Sequence, residues 1–325
     1  MEMKYDAQDL AAIRASGQLN NDAANDESVF FATELNHVKA KTYDQKVPVN
    51  NAMAVFPVAM DTDPGADTVS FDSYDSVGMA KIIANYADDL PRADVKGERT
   101  TVKVYNVGSA YGYSTKDIRR ARMTGKPLTT QKATAARRAN DAKINAIAFK
   151  GDKEHGIVGI VDNPNISVYV PTAVTSGSGT SAKWADKTAD QILDDMNGCV
   201  NSIVDSTLGA EIPDTILLPI AQYNLIAKKR VSDSDGKTVL KFFLENDPYI
   251  KNIRPIQELK GLGTNGTDVM FVYRCDPEAL ELNLPLAFTQ YAPQQKNLEF
   301  VVACESSCAG VITYYPMSIC KCEGI

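Results

Sequence analysis

The feature that most constrains this chain is a long helical stretch near its middle, broken once and closed by a glycine. Ser114 is a good N-cap for a first piece, Thr115 to Met123. Gly125 and Pro127 interrupt that piece. The pattern then predicts a second helix from about Thr129 to Lys150, roughly 33 Å of rod at 1.5 Å per residue. Gly151 suits the C′ position that ends it. One side of this helix reads Leu128, Ala135, Ala139, Ala142, Ala146 and Phe149, a spacing of threes and fours made mostly of alanine. Alanine keeps a packing face thin, so a sheet or a second chain can approach closely. The other side carries Lys132, Arg137, Arg138, Lys143 and Lys150.

The 325 residues suffice for a sizeable core, in two lobes. With 44% apolar and 23% charged residues the composition is that of a soluble globular protein. No apolar run approaches the length of a membrane helix. The N-terminus has no basic segment followed by an apolar one, so a secretory signal is not expected and the cytoplasm of the producing cell is. In that setting the six cysteines read as free buried thiols. Cys304-x3-Cys308 and Cys320-x-Cys322 lack the usual zinc spacing, and no metal or cofactor is expected.

Residues 1–45 read as an arm, with short patches at 9–13 and 28–38 separated by polar Asn20-Asn21-Asp22. From Val55 to Ser114 the pattern is β. Alternation through Val69 to Ile83, a polar stretch from Asn85 to Glu98, and a return through Val102 to Tyr113 predict a projecting hairpin of two long strands. Such a hairpin is marginal alone, and its open edges call for a partner. Helices and strands alternate across 165–275. Thr188 caps a helix to about Asp205, with Ile192, Leu193, Met196, Val200 and Ile203 as its buried stripe. Pro219 opens a second helix and Val239 to Glu245 forms a third. Strands are expected at 215–218, 250–256 and 269–274. The end is β again, with Leu298–Ala303 and Gly310–Tyr315 read as a pair around a turn at Ser306–Gly310. The whole is α+β.

Catalytic signatures are missing. Gly261-x-Gly263-x-x-Gly266 has the letters of a dinucleotide fingerprint but runs into a strand, where the fingerprint needs a helix. The two histidines, His37 and His155, stand in polar surroundings. There is no nucleophile elbow, zincin helix or phosphate loop. A hydrolase pairing Cys199 or Cys308 with His155 is the one nucleophilic arrangement left, and no local context gathers it. No enzyme activity is expected.

The long helix ending in Lys150-Gly151-Asp152, then Gly156-Ile157-Val158-Gly159-Ile160 and Asn163-Pro164, resembles the spine helix of tailed-phage major capsid proteins of the Hong Kong-97 type fold. Val77-Gly78-Met79-Ala80-Lys81 and Ala110-Tyr111-Gly112-Tyr113-Ser114 fit the same family. The resemblance covers nearly the whole chain in order. It implies an N-terminal arm (1–45), the opening strands of a peripheral (P) domain (46–66) and an extended E-loop hairpin (67–113). The spine helix and following turn (114–164), an axial (A) domain (165–280) and closing P-domain strands (281–325) complete the order. Function then follows as a head protein whose hexamers and pentamers form an icosahedral shell around double-stranded DNA, in the virion, after assembly in the bacterial cytoplasm. A separate scaffolding protein, a portal, decoration proteins and no membrane are the implied partners. The same fold also suits an encapsulin-type compartment with enzyme cargo. A cytosolic α/β enzyme is the remote alternative.

Two groups of residues are candidate contacts. Asp88, Asp89, Arg92, Asp94, Lys96 and Glu98 fall at the E-loop tip. Some members crosslink through an E-loop lysine, and Lys96 lies in the right kind of loop, with no partner identified. Lys132, Arg137, Arg138 and Lys143 form a basic spine-helix face. Charge is segregated: residues 1–35 hold seven acids against two bases, and residues 114–150 hold ten bases against two acids. A solvated face, an acidic segment of a neighbouring subunit and packaged DNA all fit this basic stretch.

Overall fold

A computed structural model describes residues 48–77, 94–125, 128–176, 179–231 and 236–325. The expected arm at 1–45 lies outside the described residues. The chain enters through a single helical turn, α1 (Ala52–Val55), and a short strand, β1 (Val58–Ala59). Its backbone is pinned at once to the long helix, for Ala52 N donates to Asn145 Oδ1 at 2.9 Å.

Strands β2 (Thr68–Val77) and β3 (Asp94–Lys103) then pair antiparallel along their full length, Thr68 opposite Lys103 and Val77 opposite Asp94. The return strand therefore starts at Asp94, inside the stretch read from sequence as a polar connection. It also stops at Lys103. Val104 donates its N–H to Asp67 O, closing the foot of the hairpin. The next strand, β4 (Tyr105–Ser114), belongs to another sheet. The reading of 102–113 as one return strand is corrected accordingly. Ten consecutive ladder positions with β16, described below, outweigh continuation of the hairpin.

Ser114 caps helix α2 (Thr115–Thr124) in a capping box with Asp117, and Gly125 ends it at φ 64°. Helix α3 (Leu128–Lys150) follows, with 23 residues. Its phase is not the one the alanines suggest. Ala135, Ala139, Ala142 and Ala146 are exposed, while Ala136, Asn140, Ile144, Ile147, Ala148 and Phe149 are buried. The face is rotated by one residue, about 100°. Alanine discriminates weakly between inside and outside, so the two isoleucines set the phase. Asn140, which breaks the apolar pattern, is accommodated by donating to Ser306 Oγ at 3.5 Å.

Beyond α3 a tight two-stranded turn, β5 (Gly151–Asp152) with β6 (Ile157–Val158), leads to β7 (Ser167–Tyr169). The small hairpin β8 (Val174–Ser176) and β9 (Gly179–Ser181) occupies the Gly/Ser-rich stretch read as a loop. Helix α4 (Ala189–Ser206) has a Thr188–Gln191 capping box, and its expected stripe is buried from Ile192 to Ile203. Strand β10 (Thr215–Pro219), helices α5 (Ile220–Lys228) and α6 (Val239–Asn246), and strands β11 (Asn252–Ile256) and β12 (Val269–Tyr273) complete this part.

Every residue of β10 and of β12 is buried, as unbroken apolar runs require when both sheet faces are covered. The sheet order is β11-β10-β12-β18-β7, with the last strand of the chain, β18 (Ile319–Glu323), inserted between β12 and β7. Side chains alternate across it. Leu217, Phe271, Tyr273 and Ile319 face a core shared with α1 and α3. Ile216, Leu218, Met270, Val272, Cys320 and Cys322 face a second core, built on α4, α5, α6 and the fully buried Trp184. The sheet is the wall between two cores.

The C-terminal strands pair otherwise than the sequence suggests. Strand β13 (Leu280–Asn283) lies between β1 and β17 (Gly310–Thr313). Strand β16 (Glu299–Cys308) is flanked by β4 and by the successive β14 (Leu286–Gln290) and β15 (Gln294–Lys296). Thus β16 and β17 are not partners. The turn between them redirects the chain at Gly310, whose φ of 83° only glycine adopts easily. Because β18 joins the sheet of residues 167–273, the chain segment 281–325 does not stay in one sheet.

Candidate functional site

The hairpin β2–β3 is largely exposed over its described side chains. Of the ten residues of β3, only Val102 is not fully exposed. At about 3.4 Å per residue its two strands make an arm of roughly 33 Å. Near its foot the hairpin is anchored, with the Phe71 ring edge-on to Tyr314 at 4.8 Å. Further out, its contacts among the described residues run across the ladder. Arg99 grips Asp72, its direct cross-strand neighbour, at 2.6 and 2.9 Å, and Ser70 Oγ meets Thr101 Oγ1 at 2.9 Å. Tyr74 covers the bare backbone of Gly97 opposite it. Tyr74 and Val95 nonetheless leave 72% and 60% of their surface to solvent. Among the described residues, neither edge of the ladder carries a further strand.

Of the residues expected at the hairpin tip, Asp88, Asp89 and Arg92 lie outside the described residues. Asp94, Lys96 and Glu98 sit at alternate positions of β3, on one face of the strand rather than in a loop. Lys96 stands opposite Asp75 in the ladder.

A groove of about 750 Å³ runs under the foot of the hairpin, between Phe71 and Thr100 on one side and Ile157, Asn163 and Tyr314 on the other. Two of its polar groups are committed to the fold. Tyr105 Oη donates to His155 O at 2.6 Å, and Tyr314 Oη to Glu281 Oε1 at 2.6 Å. Burial and the Glu281 carboxylate push the Tyr314 hydroxyl well above its ordinary range.

The four bases expected on the spine-helix face are scattered in role. Lys132 Nζ donates to Gly112 O at 2.5 Å, tying α3 to β4. Lys143 pairs with Asp152 at 2.7 Å, and Arg137 lies 3.9 Å from Asp141. Arg138 alone of the four is exposed with no ion pair among the described residues. Further exposed cations stand one helix earlier. Lys116, Arg119, Arg120 and Arg122 are all exposed on α2. Sequence reasoning counted them in the basic stretch but did not single them out. The i, i+3, i+4 spacing over 116–122 carried that signal.

The thiols are packing groups. Cys199, Cys304, Cys308, Cys320 and Cys322 are buried, and Cys275 is half-buried. Burial raises the Cys199 thiol well above its ordinary pKa and the Cys308 thiol to about 11. Both therefore remain protonated and unreactive at neutral pH. His155 donates from Nδ1 toward Asp152 at 3.2 Å, far from any such role. Among the described residues no cluster of His, Cys, Asp and Glu has the makings of a metal site.

Among the described residues, an anchored two-stranded arm with no further strand on its edges and a long helix closed against a sheet are the features of a building block, a protein that works through contacts. The chain matches the profile of the family described as Major capsid protein over residues 78–325, and it belongs to that family. Its fold is that of the capsid of Myoviridae phage XM1, with a TM-score of 0.75 at 16% identity, covering 92% of this chain and 100% of that one. The capsid of an empty GTA particle gives a TM-score of 0.63 at 10% identity, with 94% and 99% covered. Mycobacterium phage Bobi gives 0.61 at 13% identity, with 90% and 96% covered. No curated protein sequence matches the chain. It is a structural capsid protein of the Hong Kong-97 type fold and a virion component, not an enzyme. The compartment alternative is not favoured. No helix among the described residues is long and apolar enough to cross a membrane.

Proposed function

We propose that copies of this chain associate into hexamers and pentamers that close an icosahedral shell around double-stranded DNA. The hairpin β2–β3 is the E-loop of that shell and reaches over a neighbouring copy. Residues 1–45 are the second tie between copies. The lobe of residues 165–280 turns toward the axis of each ring, and α3 with its sheets forms the periphery. Assembly takes place in the host cytoplasm with a scaffolding protein, a portal and decoration proteins as separate chains.

The observation that carries this reading is the hairpin. A ten-residue ladder whose return strand is exposed at nine of ten positions, with no further strand on either edge among the described residues, is marginal in water and gains its stability from a partner. Many copies of one modest contact then hold a closed shell through symmetry and effective concentration. The test is size-exclusion chromatography of the purified chain followed by negative-stain microscopy of the earliest peak, repeated with the neighbouring reading frames co-expressed. Closed particles tens of nanometres across are expected. Monomers persisting in both preparations would overturn the reading.

A further inference from the structure

Helix α2 sorts its side chains by charge. Asp117, its one acid, is half-buried with Ile118 and Ala121 and is engaged by the Ser114 N–H in the capping box. Lys116, Arg119, Arg120 and Arg122 are exposed. At about 100° per residue these four fall within one arc of about 160°. Arg120 leans back toward Asp117, at 3.9 Å. Lys116, Arg119 and Arg122 form a row at i, i+3 and i+6 in which each cation repels the next. The row spans about 9 Å along the helix axis. Four bases against one acid in ten residues is a steep local excess for a chain whose net charge is −7.

Two classes of anionic partner fit a cationic row, and composition separates them. The core of a protein–protein interface is depleted of charge and rich in aromatic side chains. The exposed arc of α2 holds four cations and one large apolar residue, Met123, toward its end. A nucleic-acid surface asks for cations with little apolar area, because its phosphates bind them with release of counterions. Arginine, which supplies two of the three residues in the row, presents a planar fork that matches a phosphate group. Spacing agrees as well. Each DNA strand offers a phosphate about every 3.4 Å of helix axis, so a row of about 9 Å reaches three of them. We propose that the exposed face of α2, through Lys116, Arg119 and Arg122, is a contact for the phosphate backbone of double-stranded DNA, made without regard to base sequence. The inference rests on the shell-building reading for the source of the DNA and names a surface that meets it.

The test is fluorescence anisotropy of the dissociated chain with labelled duplexes. Wild-type protein should bind two duplexes of unrelated sequence equally at about 50 mM salt. The triple variant Lys116→Gln, Arg119→Gln, Arg122→Gln should lose at least about tenfold in affinity. Its slope of log K against log salt should shrink by about 2.7, which is about 0.9 for each phosphate contact removed. A control, Lys228→Gln, Lys251→Gln, Lys260→Gln, removes the same charge from exposed positions elsewhere and should leave both values near wild type. Absence of wild-type binding, an unchanged slope in the α2 variant, or an equal loss in the control overturns the proposal. The α2 variant should also form closed particles at the wild-type yield. A severalfold fall in that yield overturns the proposal in favour of an acidic segment of another protein chain. Absence of particles from the wild-type chain under every condition counts against the shell reading instead, and the duplex measurement still reports on the α2 contact.

Discussion

Gly151 and Gly159 approach so closely that neither position has room for a side chain. A Cβ on Gly151 would lie 2.4 Å from Gly159 N, and one on Gly159 would lie 2.3 Å from Gly151 N. Gly151 also holds φ at 72°, the left-handed value that ends α3. The pair closes the turn that sets His155 against Tyr105, whose rings lie 6.0 Å apart. Gly159→Ala should therefore cost about 3 kcal/mol or more, because the obstructing atoms are backbone and cannot rotate away. Urea unfolding of the dissociated chain measures it, and a loss below about 1 kcal/mol would show that the turn has another shape.

The rotated phase of α3 has its own test. Ala142→Glu places a charge on the exposed face and should change the stability of the dissociated chain by less than about 0.5 kcal/mol. Ile144→Ala, two residues on, should cost about 2–5 kcal/mol. Ala142→Pro removes a helical hydrogen bond and clashes with the preceding turn, costing about 3 kcal/mol or more, and should abolish particles. The reverse order for the first two variants would restore the alanine face.

Lys187 and Asp195 form an ion pair inside the second core, Nζ to Oδ2 at 2.6 Å, with Trp184 Nε1 donating to the same oxygen at 3.0 Å. Lys187→Met leaves a buried carboxylate with only neutral donors, Trp184 Nε1 and the Thr172 backbone N–H, and should cost about 3–5 kcal/mol at neutral pH. Burial already raises the pKa of Asp195 against the opposing pull of Lys187, and removing the lysine raises it further. A carboxyl whose folded pKa lies above its unfolded one destabilises the fold above that folded value and regains stability as pH falls through it. The variant should therefore be closer to wild type in acid than at about pH 8. Equal deficits at both pH values would mean that Asp195 is neutralised by something else.

Asp152 has the opposite sign. Hydrogen bonds from Lys143 first and His155 second hold its pKa at about 2, below the ordinary 3.8. The stability it contributes is complete above 3.8 and is lost as pH falls through about 2. Asp152→Asn should flatten the acid limb of the unfolding midpoint over that interval, leaving the neutral end little changed in slope. An unchanged acid limb would show that Asp152 is not the titrating group.

For the hairpin, Tyr74→Asp and Val95→Asp alter side chains that are mostly in water and should shift the dissociated chain's stability by no more than about 0.5 kcal/mol. Particle yield should fall severalfold. Undiminished yield from both variants would remove this face of the hairpin from the contact.

Elements whose signals are local were legible in the sequence. Ser114 and Thr188 mark helix starts by capping boxes and Pro219 by its restricted backbone, signals that act within a single turn, and the structure has helices at all three. The stripe from Ile192 to Ile203 was readable because large apolar residues at helical spacing have one way to be buried. The α+β class follows from the same local patterns. Of the candidate site, the exposed hairpin was foreseeable from its strands and polar connection, although its return strand begins earlier than the polar composition of 94–98 suggests.

What the sequence could not supply is which strands meet. β4 and β16 lie nearly two hundred residues apart and β1 and β13 more than two hundred, and no period within either strand names its partner. The wall between the two cores depends on β18 arriving between β12 and β7, so the last strand of the chain completes a sheet begun at Ser167. The face of α3 was undecided for the same reason: alanine pays little for either environment, and only the approach of β4, β16 and β17 selects Ile144 over Ala142. The fate of the basic residues depended on distant acceptors, since Lys132 is taken up by a carbonyl of β4 and Lys143 by the turn after α3, while the cations of α2 remain exposed. Local chemistry determined where helices and strands would form. Long-range pairing decided which surfaces they would leave open.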